Sequence, residues 1–185
     1  MLSQTLFLHG GNEFHTDSAE FDQYFVDATF GARVGIFPGA CTSERDRIAT
    51  VAFASGYFSL YGVELIEVSP EQFHTIDALI LPGGSPNKLL DELSAHKVQL
   101  LDLLDRGVIY GASAGAMVLG RGFEVGGTWR QALALGPFQA LVHFRGREPE
   151  RGRPGLIYGL PEAGGLVVAR SGEILTQSSG VQIWA

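Results

Sequence analysis

Apolar positions along the chain fall into short unbroken runs, separated by longer stretches in which they recur at helical spacing. Runs of strand length occupy Thr5–His9, 33–37, 63–68, Ala78–Leu81 and 108–110. They are nearly continuous in hydrophobicity rather than alternating, which predicts parallel strands buried on both faces. The stretch 18–28 places Phe21, Tyr24, Phe25 and Ala28 on one helical face. The stretch 42–61 opens on Thr42-Ser43-Glu44-Arg45, a start resembling a capping box, and carries Ile48, Val51, Ala52 and Phe58. A third, 89–104, sets Leu89, Leu90, Leu93, Leu100, Leu101 and Leu104 at helical spacing. This alternation predicts an α/β fold, a three-layer α/β/α sandwich on a mostly parallel central sheet. Beyond about residue 120 the pattern changes. Segments 122–127 and 145–155 read as loops, while 155–160, Gly165–Ala169, 174–176 and 181–184 read as short strands of a partly antiparallel extension.

Length and composition predict a single domain spanning 1–185. Hydrophobic residues make up 45% and charged residues 18%, so a full core can form and disorder is disfavoured. No apolar run approaches the roughly 18 residues of a membrane span. Met1-Leu2-Ser3-Gln4 lacks a basic region followed by a long apolar stretch, which predicts no signal peptide. The single cysteine, Cys41, leaves no internal disulfide and suits a reducing cytoplasm. It is read as a buried or half-buried thiol in a loop after a strand. The formal charge of −7 argues against general nucleic-acid binding. Arg145, Arg147, Arg151 and Arg153 nevertheless cluster within nine residues. They suit either an anionic substrate group or a solvated loop paired with Glu148 and Glu150.

The richest motif is Gly111-Ala112-Ser113-Ala114-Gly115, which reads G-x-S-x-G between an apolar strand and the helix-compatible Ala116-Met117-Val118-Leu119. Strand, sharp turn and helix form the context of a nucleophile elbow, with small residues flanking a turn too tight for bulky ones. A serine nucleophile needs a base. His143 is the one histidine that follows Ser113, and His9, at the end of the first strand, is its best competitor. A base needs an orienting acid. Glu162, at a strand end before Ala163-Gly164-Gly165, is preferred over Glu148, Glu150 and Glu173. For the oxyanion, elbow geometry supplies the Ala114 N–H. The loop Leu81-Pro82-Gly83-Gly84-Ser85-Pro86 offers Gly84 as second donor, with Gly83 and Ser85 beside it. The loop His9-Gly10-Gly11-Asn12 ends the first strand and lines the same crevice. It carries neither a dinucleotide fingerprint nor a P-loop lysine, and no metal-ligand spacing occurs, so no cofactor is expected.

These segments resemble the peptidase E and cyanophycinase family of serine peptidases. Gly111-Ala112-Ser113-Ala114-Gly115-Ala116 is similar to its elbow, and Leu81-Pro82-Gly83-Gly84-Ser85-Pro86-Asn87 to its glycine loop. Ile36-Phe37-Pro38-Gly39-Ala40 resembles a strand-end segment. His143-Phe144-Arg145-Gly146-Arg147 resembles the stretch around the family's histidine. Gly159-Leu160-Pro161-Glu162-Ala163-Gly164-Gly165-Leu166-Val167-Val168 resembles the stretch around its glutamate. The resemblance implies a class I glutamine amidotransferase-like, flavodoxin-like fold, with Ser113 as nucleophile, His143 as base and Glu162 as orienting acid. It implies a serine exopeptidase acting on short peptides beside aspartate, with Gly83, Ser85, Arg145 and Arg147 near the substrate. The segment between Ser113 and His143 is short for this family, which leaves the specificity loops open. A small-molecule esterase or amidase, and a ligand-binding module with a vestigial triad, are the alternatives. A homodimer through an apolar edge such as 181–184 is a further expectation.

Overall fold

The computed structural model describes residues 3–146 and 155–185. Its strands are β1 (Thr5–His9), β2 (Val34–Ile36), β3 (Leu65–Glu67), β4 (Ala78–Leu81), β5 (Val108–Ala112), β6 (Gly122–Val125), β7 (Thr128–Gln131), β8 (Phe138–Leu141), β9 (Leu156–Gly159), β10 (Gly165–Ala169), β11 (Ile174–Gln177) and β12 (Gln182–Trp184). The helices are α1 (Ala19–Ala28), α2 (Glu44–Ser59), α3 (Pro86–Leu93), α4 (Lys97–Arg106) and α5 (Ala114–Leu119). Seven strands form the main sheet in the order β11-β10-β1-β5-β4-β2-β3. The five from β1 to β3 in that order run parallel, while β10 and β11 add to one side antiparallel.

Both faces of this sheet are covered, which is why its central strands lack alternation. Leu6 and Leu8 of β1, Leu79 and Leu81 of β4 and Ile109 of β5 pack with the leucines of α3 and α4. The residues between them, Phe7, Ala78, Ile80, Val108 and Tyr110, face an aromatic layer with Phe21 and Phe25 of α1 and Phe58 of α2. One layer is thus leucine-rich and the other aromatic. Beneath the aromatic layer the Asp22 carboxylate accepts hydrogen bonds from Tyr110 Oη at 2.6 Å and Tyr57 Oη at 2.8 Å. Burial pushes the Asp22 carboxyl above its ordinary range, and the tyrosine hydroxyls offset part of that cost.

Three expectations are corrected. The helix read over 89–104 is two helices separated by a 3-10 turn at Ser94–His96. Ser94 Oγ donates to the Leu90 carbonyl at 2.6 Å, the same oxygen that accepts the Ser94 N–H at the end of α3. The leucine spacing survives because Leu93 and Leu100 still face one core. Segment 122–127 is not simply a loop: β6 pairs with β7 across a Gly126-Gly127 turn whose two positive φ angles suit a hairpin. Finally, β9 and β12 do not extend the main sheet. They join β8 in a separate three-stranded sheet, ordered β12-β9-β8.

Candidate active site

β1, β5 and β4 are neighbouring parallel strands, so their C-terminal ends meet at one edge of the sheet. Ser113 directly follows β5 and precedes α5, with φ +47° and ψ −108°. A non-glycine residue in that region carries strain of order 1–3 kcal/mol and persists only where its surroundings hold it. Here the Ser113 N–H donates to the His9 carbonyl at 2.9 Å, and its carbonyl accepts the Met117 N–H at 3.0 Å. The small residues expected beside the serine are required by packing: a Cβ on Gly115 would lie 2.1 Å from the Leu81 carbonyl oxygen.

Ser113 Oγ lies 3.1 Å from His143 Nε2, and His143 Nδ1 lies 3.1 Å from Glu162 Oε1. A hydroxyl, an imidazole and a carboxylate are therefore joined in series. Such an arrangement can pass the hydroxyl proton to the ring and hold the charge that forms there. His143 follows β8 at φ +52°, and Glu162 lies between β9 and β10. Arg145 is exposed, with its guanidinium 3.8 Å from Glu162 Oε1. Arg147, Arg151, Arg153, Glu148 and Glu150 lie outside the described residues.

The end of β1 holds these segments in register. The Gly10 carbonyl accepts the His143 N–H at 2.8 Å, and the Gly11 carbonyl accepts the Ala163 N–H at 2.9 Å. The Gly10 N–H donates to the Gly164 carbonyl at 2.9 Å. Gly11 is also pressed against the imidazole, since a Cβ there would lie 2.2 Å from His143 Cε1. His9, the competing base, is fully buried. Its Nδ1 accepts the Gly11 N–H at 3.2 Å. Burial, aided by the nearby His143, lowers its pKa to about 4. It is His143, not His9, that reaches Ser113.

The glycine loop after β4 reaches the same place. Gly84, at φ +137°, packs its backbone on the Ala40 carbonyl, and a Cβ on Gly83 would lie 3.3 Å from Ser113 Cβ. Among the described residues no hydrogen bond is made by the Gly84 or Ala114 N–H. Ser85 caps α3: its Oγ accepts the Lys88 N–H at 3.3 Å, while its own N–H donates to the Ala40 carbonyl. The Gly83 N–H donates to Glu13 Oε1 at 2.7 Å. Sequence reasoning missed Glu13. It sits two residues past the Gly10-Gly11 pair, in a loop with no motif to mark it. Cys41 is buried, its Sγ 3.5 Å from Thr50 Oγ1. Among the described residues no group of three or more His, Cys, Asp or Glu side chains is placed to hold a metal, and no helix is long and apolar enough to cross a membrane.

Fold and site together define a three-layer α/β protein with a linked serine, histidine and glutamate at the strand ends. Two solved structures share this fold. A peptidase from an acI-B1 Actinobacterium superposes with a TM-score of 0.73 at 18% identity, over 98% of this chain and 87% of that one. A protein from Listeria monocytogenes EGD-e, described provisionally as a peptidase E, superposes with a TM-score of 0.68 at 18% identity, over 99% and 98%. No protein-family model matches the chain, and no curated protein matches it in sequence.

Proposed function

We propose that this protein is a serine peptidase that hydrolyses short peptides through an acyl-enzyme on Ser113. The observation that carries the reading is the series Ser113 Oγ, His143 Nε2, His143 Nδ1 and Glu162 Oε1, with 3.1 Å at each link. The shared fold with two proteins described as peptidases supports the reaction class. Ser113 Oγ attacks the scissile carbonyl while His143 Nε2 takes its proton, and Glu162 stabilises the imidazolium. The N–H groups of Gly84 and Ala114 bind the oxyanion. Collapse of the tetrahedral intermediate breaks the C–N bond, and the amine leaves with the proton from His143. Water then attacks the ester, again giving its proton to His143, and Ser113 is restored as the acid product departs.

Arg145 supports a preference for aspartate beside the scissile bond. Its guanidinium is exposed at the edge of the site and near Glu162, where a substrate carboxylate can pair with it. The test is hydrolysis of a dipeptide and tripeptide library by wild type and Ser113→Ala, with labelling by a fluorophosphonate. Cleavage of aspartate-containing members by wild type, abolished in the variant, is expected, as is labelling at Ser113. Near-normal turnover by Ser113→Ala would overturn the mechanism. Hydrolysis of simple esters without any peptide cleavage would favour an esterase.

A further inference from the structure

We propose that His9 is a positioning residue, whose imidazole holds the Gly10-Gly11 turn so that the backbone of that turn keeps His143 over Ser113. The proposal rests on the serine-peptidase reading above and adds a side chain that acts through its neighbours. The Gly11 N–H donates to His9 Nδ1 at 3.2 Å, and both residues are buried. Among the described residues no other side chain bonds to the backbone of Gly10 or Gly11. From this turn three hydrogen bonds run to the reacting groups. The Gly10 carbonyl accepts the His143 N–H at 2.8 Å, and the Gly11 carbonyl accepts the N–H of Ala163, beside Glu162, at 2.9 Å. The His9 carbonyl accepts the Ser113 N–H at 2.9 Å. The turn also touches the ring of the base, since a Cβ on Gly11 would lie 2.6 Å from His143 Nδ1. One buried side chain thus stands behind nucleophile, base and orienting acid together.

The chemistry of the imidazole fits that task. Gly11 sits at φ +120°, and a glycine backbone is free to leave that conformation, so the turn keeps its shape through its bonds. A buried N–H that loses its acceptor costs free energy. Without Nδ1, Gly11 would rotate to find another acceptor and carry the Gly10 and Gly11 carbonyls with it. The acceptor also has to be uncharged. His143 gains a positive charge in each half-reaction, and it lies near enough to His9 for either charge to disfavour the other. A carboxylate in place of the ring would accept as well, but would bury a charge. An Nδ1 that accepts carries no proton, so His9 is the neutral tautomer with its proton on Nε2. Packing fixes the ring: it stacks on Tyr110 at 6.0 Å between centres and tilts against Phe21 at 5.5 Å. Nε2 is buried with no hydrogen-bond partner among the described residues, a cost that an aliphatic side chain would not carry. The ring is thus unfavourable at one nitrogen and useful at the other.

The test uses His9→Asn, His9→Gln and His9→Leu. It reads the rate of Ser113 labelling by a fluorophosphonate, and kcat and KM for a dipeptide that wild type cleaves. Asn carries its amide oxygen near the place of Nδ1, Gln reaches instead to the place of Nε2, and Leu fills the space with no acceptor. His9→Asn is expected to keep the labelling rate and kcat per labelled site within about threefold of wild type. His9→Gln and His9→Leu should lower both by about tenfold or more, as displacement of a reacting group does, with KM little changed. A merely structural role would shrink the fraction of protein that labels, leave the rate per labelled site unmoved, and not separate Asn from Gln. Near-wild-type rates in His9→Gln or His9→Leu, an equal loss in His9→Asn, or losses confined to KM would overturn the proposal. If His9→Leu fails to fold, the contrast between Asn and Gln decides alone. Failure of wild-type Ser113 to label would instead bring down the serine-peptidase reading, and this proposal with it.

Discussion

Gly11→Ala tests whether the end of β1 sets the position of the histidine. The added methyl would lie 2.2 Å from His143 Cε1 and 2.6 Å from His143 Nδ1. Non-bonded carbons at contact sit about 3.5 Å apart or more, so the ring, the loop or both must withdraw by about 1 Å. The ring has one direction of retreat, away from Gly11, and its bonds to Ser113 and Glu162 start at 3.1 Å. A misplacement of about 1 Å at a reacting group costs on the order of 100-fold in rate. Alanine at φ +120° adds backbone strain of about 1–2 kcal/mol. In a chain of this length that lowers Tm by a few degrees, at about 2–4 °C per kcal/mol. The expected outcome is a folded protein, slightly less stable, with kcat on a cleaved dipeptide about 100-fold lower. Steady-state kinetics and a thermal melt on the same preparation check both. A variant that keeps kcat within threefold of wild type would refute the idea that Gly11 supports the ring.

Ser113→Gly should remove turnover and raise stability by about 1 kcal/mol in urea melts, because relief of the positive-φ strain exceeds the entropy cost of the new glycine; no gain would mean the elbow is unstrained. Tyr110→Phe should cost about 2 kcal/mol, since it removes a hydroxyl donor from the buried Asp22 carboxylate; a change below about 0.5 kcal/mol would exclude that role. His9 titrates near 4 when folded and near 6.5 when unfolded, so the unfolded chain binds the extra proton between those values. Its stabilising effect is complete above about pH 6.5 and falls away by about 3 kcal/mol as the pH drops to 4. Urea melts at pH 7 and 4.5 should show that loss in wild type and a smaller one in His9→Asn; equal losses would place the titration elsewhere.

Much of the layered fold was legible because the strands and helices carry local patterns. The runs at β1, β4 and β5 read as strands buried on both sides, and each has that burial. Periodicity failed to mark the 3-10 turn at Ser94–His96, because the leucine pattern runs on across it. It also failed for β6 and β7, whose residues are largely exposed and so leave little apolar signal. At the site, Ser113, His143 and Glu162 were legible as candidates from motif and order. Glu13 was not, because a single glutamate in a loop carries no periodicity and no motif, and its meaning comes from a bond to Gly83, 70 residues away.

The sequence by itself determined the alternation of strands and helices, the glycine loops and the serine at a turn only small neighbours allow. These follow from local sterics and from which faces must leave water. Only the tertiary structure decided which histidine meets the serine. His9 and His143 both lie at strand ends near Ser113, yet one is sealed beneath Phe21 and Tyr110 while the other is held over the hydroxyl by the Gly10 carbonyl. That choice depends on how β1, β5 and β8 stack in space, and contacts between strands more than a hundred residues apart leave no trace in local pattern.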